Sequence, residues 1–279
     1  MTNYANPEVL VDTDWVASHS GDAKVKLVEV DVDTAAYGQG HIKGAIGWNW
    51  TSQLEDQLRR DIPDRVAWEK LLSGSGISNG DTIVFYGDNN NWFACFAYWV
   101  AKMYGHGSAR IMNGGRKKWE LEKRELVTGE PKPTPAQYTS KAPDLSLRAL
   151  QSEVQQSLGK SALVDVRSPQ EFTGEVLAPP GLSETAQRGG HIPGAKNIPW
   201  LQAVNDADGT FKSADELKAR YEKDGITADK DIVAYCRIGE RSSHTWFALH
   251  ELLGYPKVKN YDGSWTEWGS MIGVPIEKP

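Results

Sequence analysis

Short apolar runs rich in β-branched residues alternate along the chain with longer segments of mixed polarity. Each run is bounded by Gly, Asp or Pro, which is typical of β-strands, and the runs are LVEV (27–30), TIVFY (82–86), SARIM (108–112), LVDV (163–166), DIVAY (231–235) and PKVKNY (256–261). Segments between them, such as 214–223 and 242–253, are long enough for helices. This alternation predicts an α/β fold in which a mostly parallel sheet has helices on both faces.

The same series of patterns occurs twice. HIKGA (41–45) corresponds to HIPGA (191–195), and GISNGDTIVFY (76–86) corresponds to GITADKDIVAY (225–235). Fewer residues separate the first strands of the two copies, LVEV and LVDV, than separate these matching pairs. The second copy therefore contains extra residues between its first strand and HIPGA, within 173–190. Two copies separated by about 150 residues predict a duplicated globular domain, because solenoid repeats are only about 20 to 50 residues long.

A proline-rich stretch separates the two copies. Residues 128–146 contain four prolines and little apolar periodicity, and each proline disfavours helix and interrupts strand pairing. We therefore predict an N-terminal domain over 1–127, an extended linker over 128–146 and a C-terminal domain over 147–279.

Composition and charge exclude several classes of function. The chain has 279 residues, of which 39% are hydrophobic and 24% charged, as in ordinary globular proteins. A net charge of −6 argues against a general nucleic-acid or anionic-membrane binder. No apolar run approaches the roughly 18 to 20 residues that span a bilayer, and no basic-then-apolar segment opens the chain, so we expect a cytoplasmic protein. Duplication already buries one domain face against the other, so we expect a monomer.

Two cysteines limit the chemistry that thiols can perform. Cys95 and Cys236 cannot form a disulfide framework or a multi-thiolate metal site, and we expect neither a metal nor another cofactor. Cys95 lies in the apolar stretch NWFACFAYWVAKMYG (91–105), where the nearest basic neighbour is Lys102. This pattern predicts a core residue.

Cys236 lies between a buried strand and a helix, where α/β proteins place reactive groups. DIVAY is followed by the loop CRIGER (236–241), and a helix follows the loop. Backbone N–H groups and the helix dipole stabilise an anion at such a position. Arg237 and Arg241 add positive charge, and Gly239 permits a tight turn. We therefore predict that the pKa of Cys236 lies below its reference value of about 8.5, which makes the sulfur a nucleophile.

The structural alternative is that Cys236 only fills space at the end of a strand, as most buried cysteines do. Two arginines close to it argue against this, because guanidinium groups beside an inert buried thiol would be costly to desolvate. The hydroxyls of Ser242 and Ser243 are placed to donate to the sulfur or to a bound oxyanion, although serine also suits the start of a helix.

These elements together resemble the two-domain rhodaneses, the thiosulfate sulfurtransferases. The elements are C-R-x-G-x-R-S after a buried strand, HIPGA upstream, DG-x-W-x-x-W downstream and the duplication itself, and they extend over nearly the whole chain. The resemblance implies tandem rhodanese-like domains with a catalytic C-terminal copy and an inactive N-terminal copy. The N-terminal loop GDNNNW (87–92) agrees, because it contains neither thiol nor cation.

The resemblance also implies a mechanism. The Cys236 thiolate would take the outer sulfur of thiosulfate as a persulfide, release sulfite and pass the sulfur to cyanide or a thiol acceptor. Arg241, with Arg237 as the second candidate, would bind the dianionic donor. Asp165 and Arg167 would form a charged pair that braces the loop; the alternative for them is a solvated pair at the strand end.

Two positions depart from the family pattern. The long rhodaneses of animals have a Lys where this chain has Ile238, and an Arg where it has Glu171. Substrate anchoring must therefore differ, and Arg188, in the insertion before HIPGA, is the candidate replacement.

Three histidines are predicted to be structural. His41 and His191 occupy matching turns in an inactive and an active copy, so a catalytic role would not explain both. His244 follows the loop on the helix, where we expect it to pack, because a persulfide mechanism needs no general base.

Three alternative functions fit part of this pattern. 3-Mercaptopyruvate sulfurtransferases share the fold and the cysteine chemistry, but their loop is typically C-G-S-G, whereas Arg237 suits a dianion. Cysteine-dependent phosphatases and arsenate reductases have five residues between Cys and Arg, where Cys236 and Arg241 have four. A protein that only binds an anion or carries persulfide for a partner would release no stoichiometric sulfite from thiosulfate.

Overall fold

The structure, a computed structural model, describes residues 3–129, 131–181 and 184–279. Glu130 of the predicted linker and Leu182 and Ser183 of the predicted insertion lie outside the described residues. The chain divides into an N-terminal unit, Glu8–Asp144 with Asp206–Thr210, and a C-terminal unit, Leu145–Asn205 and Phe211–Pro279 with the residues up to Pro7. The predicted domain boundaries stay predictions.

The N-terminal unit contains one parallel five-stranded sheet with the strand order β1-β5-β4-β2-β3. The strands are β1 Leu10–Val11, β2 Val25–Asp31, β3 Ile46–Asn49, β4 Thr82–Tyr86 and β5 Ala109–Met112. The helices are α1 Thr13–His19, α2 Ala35–Gln39, α3 Trp50–Gln53, α4 Arg65–Gly74, α5 Trp92–Met103 and α6 Gly115–Leu121, with 3₁₀ turns at Pro7–Val9 and Asn89–Asn91.

The C-terminal unit contains one parallel four-stranded sheet with the order β7-β6-β8-β9. Its strands are β6 Ala162–Asp165, β7 Lys196–Asn197, β8 Ile232–Tyr235 and β9 Val258–Tyr261. The helices are α7 Gln151–Ser157, α8 Pro169–Thr173, α9 Ala214–Glu222, α10 Glu240–Trp246 and α11 Ser264–Trp268, with 3₁₀ turns at Leu145–Leu147 and Trp200–Ala203. The parallel sheets and their helices confirm the predicted α/β class.

Local sequence explains where α8 and α9 of the C-terminal unit begin. Ser168 and Ser213 each accept a hydrogen bond from the amide three residues later, and the glutamates at those positions, Glu171 and Glu216, bond back to the cap. The predicted helix 242–253 begins earlier than expected, at Glu240, and continues from α10 as a π-helical segment, Phe247–Leu252.

The two units repeat each other in detail. Glu29 on β2 pairs in register with Tyr86, and Asp165 on β6 pairs in the same way with Tyr235. Each tyrosine hydroxyl accepts a hydrogen bond at 3.1 Å from the amide that follows the histidine of HIKGA or HIPGA. These matching contacts confirm the duplication.

The histidines of these turns have matching environments. His41 stacks on Tyr37 at 3.9 Å and His191 on Phe172 at 3.6 Å, and each Nδ1 lies 3.0 Å from the carbonyl oxygen of the residue on which it stacks. This agrees with a structural role for both.

Each unit has a core of its own. Leu27, Val84 and Met112 meet Trp119 in the N-terminal unit, and Leu163, Val233 and Tyr261 meet Trp265 and Trp268 in the C-terminal unit. Over the described ranges, no helix combines the length and the apolar character needed to cross a bilayer.

Candidate active site around Cys236

Cys236 begins the loop between β8 and α10. Gly239 takes a φ of +101°, and a Cβ at that position would lie 2.9 Å from the Cα and Cβ of Asp262. Only glycine fits this close approach without strain. The loop therefore turns sharply into α10, with Cys236 fully buried at its start.

Among the described residues, four polar groups lie close to the sulfur. The Gly239 N–H donates to Cys236 Sγ at 3.1 Å, and the Ser242 Oγ lies 3.6 Å from it. The Ser264 Oγ lies at 4.0 Å. The fourth group is a carboxylate, because the thiol donates to Glu240 Oε2 at 3.2 Å. The predicted N–H and the predicted Ser242 hydroxyl are thus close to the sulfur, whereas the Ser243 hydroxyl donates to the Gly239 carbonyl at 2.7 Å. Glu240 is an acid that the sequence analysis did not consider.

The prediction of a lowered pKa for Cys236 is wrong. Burial raises the pKa of the thiol and the Glu240 carboxylate raises it further, whereas Arg241 and Ser242 act in the opposite direction. The main physical reason is that the thiol is fully buried. The second is that carboxylates accompany the two loop arginines, so the loop is less positive than its sequence indicates. The resting thiol holds its proton.

Arg241 binds Glu171 rather than pointing freely into the site. Two terminal nitrogens of Arg241 donate to the two oxygens of Glu171, both at 2.9 Å, and both side chains are buried. Against the effect of burial, these bonds hold the pKa of Glu171 below its ordinary value. Glu171, which departs from the family pattern, is therefore the fixed partner of the loop's second arginine.

Arg237 and Arg188 keep guanidinium N–H groups available. Arg237 donates to the backbone carbonyl of Glu184, and Arg188 Nε donates to the carbonyl of Gly269 at 3.0 Å. Among the described residues, Arg237 Nε and one terminal nitrogen of Arg188 are buried without a hydrogen-bond partner. Buried donors of this kind are costly unless a ligand or water accepts from them.

Asp165 and Arg167 form the predicted charged pair, and it is fully buried rather than solvated. Arg167 donates to Asp165 Oδ2 at 2.6 Å and to the carbonyl of Gly190 at 2.7 Å. Its guanidinium lies 4.7 Å from the ring centre of Trp265. Trp265 in turn donates its backbone N–H to the Cys236 carbonyl, so the pair reaches the loop through Trp265.

Ser264 is a site residue that the sequence analysis missed. Its hydroxyl oxygen accepts from the Cys236 N–H at 3.0 Å and its own proton goes to the Tyr261 carbonyl at 2.7 Å. Ser264 has a φ of +53°, a conformation that non-glycine residues adopt at a cost. The available signal was the repeat, in which Gly115 stands at the corresponding position.

The equivalent loop of the N-terminal unit, Gly87–Trp92, is built differently. Asn91, at the position of Glu240, accepts from the Gly87 N–H at 3.0 Å and donates to the Met112 carbonyl at 2.8 Å. Asn89, Asn90 and Asn91 all have positive φ. Here the side chain of the fifth loop residue closes the loop on itself.

Other candidates have structural surroundings. His244 is buried and stacks on Phe211 at 4.5 Å, and burial lowers its pKa to about 3, which agrees with packing. Cys95 is fully buried in α5, and burial raises its pKa. Across residues 3–129, 131–181 and 184–279 there is no group of three or more His, Cys, Asp or Glu suited to a metal ion.

Comparisons with known proteins agree with this geometry. The model of the rhodanese-like domain matches residues 12–122 and 150–271. A protein of Saccharopolyspora erythraea named "Putative thiosulfate sulfurtransferase" is 56% identical over 98% of this chain and 97% of its own length. The "Sulfur carrier protein TtuD" of Thermus thermophilus is 55% identical over 99% and 98%.

A solved structure shares the fold as well. The 3-mercaptopyruvate sulfurtransferase SseA of Escherichia coli superimposes with a TM-score of 0.77 and 25% identity, over 92% of this chain and 98% of that one. The family match covers both units, and the relatives span the whole chain, so the resemblance predicted from the sequence is confirmed. The chain belongs to the rhodanese family.

Proposed function

We propose that this protein is a thiosulfate sulfurtransferase that works through a persulfide on Cys236. The observation that supports this most directly is the sulfur itself, which faces the Gly239 N–H and the Ser242 hydroxyl where β8 leads into α10. These donors stabilise negative charge on a thiolate or on a persulfide sulfur. The names of the relatives agree with sulfur transfer.

The reaction proceeds by two displacements on sulfur. Cys236 attacks the outer sulfur of thiosulfate, a new S–S bond forms, and the S–S bond of the donor breaks with its electron pair leaving on sulfite. Cyanide or a thiolate acceptor then attacks the outer sulfur of the persulfide, and Cys236 leaves as the thiolate. No redox partner or cofactor is needed, because the second displacement regenerates Cys236.

Arginine side chains bind the sulfur donor, thiosulfate. Among the described residues, Arg237 Nε and one terminal nitrogen of Arg188 are buried N–H groups without a hydrogen-bond acceptor. The sulfonate oxygens of thiosulfate are strong acceptors for such groups. Arg241 contributes charge near the sulfur, with its fork on Glu171. Asp165, Arg167 and Gly239 support the loop and do not bind the donor.

A 3-mercaptopyruvate donor is the second candidate, because SseA has the same fold. Arg237 favours thiosulfate, since a dianion gains more from a full positive charge next to the cysteine than an α-keto carboxylate does. Comparing kcat/KM for the two donors distinguishes them. A higher kcat/KM for 3-mercaptopyruvate would make it the sulfur donor of this protein in place of thiosulfate.

The proposal is tested by incubating the protein with thiosulfate and measuring both released sulfite and the mass of the Cys236 peptide. We expect one added sulfur atom on that peptide and one equivalent of sulfite. Cys236→Ser should lose both signals and keep its fold. Cys95→Ala is the matched control, because it removes the other thiol, which lies in the core of the N-terminal unit. Sulfite release that survives Cys236→Ser would contradict the proposal.

A further inference from the structure

A buried carboxylate touches the sulfur of Cys236. The distance from Cys236 Sγ to Glu240 Oε2 is 3.2 Å, and Glu240 is 1% exposed. Two negative charges at this distance without water between them repel strongly. The thiol therefore keeps its proton in the resting site and donates it to the Glu240 carboxylate.

The other oxygen of Glu240 faces the positive charges of the site. Glu240 Oε1 lies 3.5 Å from Arg241 Nε and 3.8 Å from a terminal nitrogen of Arg237. These distances are long for a charged hydrogen bond, and the fork of Arg241 is already on Glu171. The arginines thus balance the charge of Glu240 while its Oε2 stays directed at the sulfur.

Glu240 does not make the backbone hydrogen bond that closes the matching loop of the N-terminal unit. In the N-terminal unit, Asn91 at the same position closes the loop by accepting from the backbone N–H of Gly87. In the C-terminal unit, the corresponding N–H, that of Cys236, donates to Ser264 instead. The side chain of Glu240 is therefore available for the sulfur.

We propose that Glu240 is a catalytic residue, which accepts the proton of the Cys236 thiol during attack on the sulfur donor and returns it when Cys236 leaves. This rests on the proposed function. In the first displacement the S–H bond breaks and its proton moves to Glu240 Oε2, while the sulfur electron pair forms the S–S bond and sulfite departs. In the second, the departing Cys236 sulfur takes the proton back, so the cycle leaves Glu240 unchanged.

Within the described parts of the chain, the charged groups that face this pair come from three places. Arg237 lies on the loop, Arg241 lies on α10, and Glu171 of α8 is bound to Arg241. Ser242 and Ser264 contribute neutral hydroxyls. Any effect of pH on the reaction must therefore be separated from a general change of charge around Arg241.

The decisive variant is Glu240→Gln, which keeps the size of the side chain but cannot take the proton at neutral pH. We expect its kcat/KM for thiosulfate, measured by sulfite release, to fall about 100-fold near neutrality, the typical contribution of a general base. The rate should recover as rising pH ionises the thiol. The wild-type rate should be level over that range and show a solvent isotope effect that Glu240→Gln loses.

Glu171→Gln is the matched control. It also removes a buried carboxylate next to Arg241, but one that does not contact the sulfur. Whatever its rate, it should keep the solvent isotope effect and the level pH profile. Glu240→Asp keeps the carboxylate and should retain both features at a reduced rate, which covers the case in which Glu240→Gln folds poorly.

A titration of the Cys236 thiolate by its ultraviolet absorbance, taken as the difference from Cys236→Ser, needs no sulfur transfer. Its midpoint should lie at lower pH in Glu240→Gln, because the repelling carboxylate is gone. An unchanged midpoint, or a neutral-pH rate in Glu240→Gln as high as in the wild type, would overturn the inference. A wild-type protein that forms no persulfide would refute the proposed function, while the titration still decides whether Glu240 acts on the Cys236 thiol.

Discussion

The loops Gly87–Trp92 and Cys236–Arg241 follow matching strands and are attached to the fold in the same way. Arg116 donates its N–H to the Gly87 carbonyl at 3.0 Å, and Trp265 donates to the Cys236 carbonyl at 3.1 Å. What differs is the acceptor for the first N–H of each loop, which is Asn91 in one and Ser264 in the other. Because Ser264 accepts this hydrogen bond in the C-terminal unit, the fifth loop residue, Glu240, does not have to accept it and can face the sulfur.

Each of the two units has a buried carboxylate on the strand beside its loop, and the arginine that pairs with it comes from a different place in each unit. In the N-terminal unit, Glu29 on β2 pairs with Arg116 of α6 at 2.5 Å. In the C-terminal unit, Asp165 pairs with Arg167, two residues further along the chain. The position of Arg116 is taken there by Trp265, on which Arg167 packs. A buried carboxylate thus keeps a guanidinium partner in both copies, because leaving it alone would be costly.

The largest expected effect comes from breaking the charge balance of the C-terminal loop. Arg241→Ala leaves Glu171 buried without its cation and Glu240 with only Arg237, and removing one partner of a buried pair typically costs about 3 to 5 kcal/mol. We expect a loss of that size in the free energy of unfolding by urea, together with weaker use of thiosulfate.

Two controls make this result specific. The double variant Arg241→Met/Glu171→Gln should recover part of the loss, because Glu171 no longer needs a charged partner. Arg59→Ala removes an exposed ion pair with Asp56 in the N-terminal unit and should change stability by less than about 1 kcal/mol. Equal losses for Arg59→Ala and Arg241→Ala would show that burial of the loop charges is unimportant.

The second-largest effect concerns Asp31, which occupies in the N-terminal unit the position that Arg167 has in the C-terminal unit. Burial, with the charges of Asp88 and Glu29, raises the pKa of Asp31 to about 9. The folded protein therefore holds this proton at neutral pH, whereas the unfolded chain loses it near pH ~3.9. Stability must fall as pH rises from the unfolded to the folded pKa, since the folded state then binds more protons.

Asp31→Asn should reduce this dependence. The amide oxygen keeps the acceptor for the Asp88 N–H, which donates to Asp31 at 2.8 Å, and the amide does not ionise. We expect the variant to be more stable than the wild type at mildly alkaline pH, with a shallower decline of the unfolding free energy from pH ~5 to ~8. Parallel curves for the two proteins would mean that Asp31 is already ionised in the fold.

Features that depend on local pattern were predictable from the sequence. The strands TIVFY and DIVAY, the duplication and the position of Cys236 before a helix all follow from residues close together in the chain. The buried surroundings of Cys95 followed equally from its apolar neighbours.

The electrostatics of the site depend on partners far apart in the chain. Glu171 and Arg241 are 70 residues apart, and nothing in the loop sequence says which carboxylate Arg241 binds. The pKa prediction for Cys236 failed because it counted the arginines and neither the full burial of the thiol nor the carboxylate of Glu240. Glu240 is close in sequence, but it faces the sulfur in a loop whose first N–H donates to Ser264, 28 residues further along the chain.

The smallest expected effect on stability tests that exchange between Ser264 and Gly115. Ser264→Gly removes a side chain held at a φ of +53°, which gains about 1 to 2 kcal/mol, but it leaves the Cys236 N–H without its acceptor, which costs about 1 to 3 kcal/mol. These effects nearly cancel, so the free energy of unfolding by urea should change little. Sulfite release should slow, because Cys236 is held less firmly.

Gly115→Ala, the counterpart, should destabilise the N-terminal unit, since its Cβ would lie 2.3 Å from Asn91 Oδ1. It should leave sulfite release unchanged. If Ser264→Gly instead transfers sulfur at the wild-type rate, the hydrogen bond from the Cys236 N–H to Ser264 is not needed to direct Glu240 towards the sulfur.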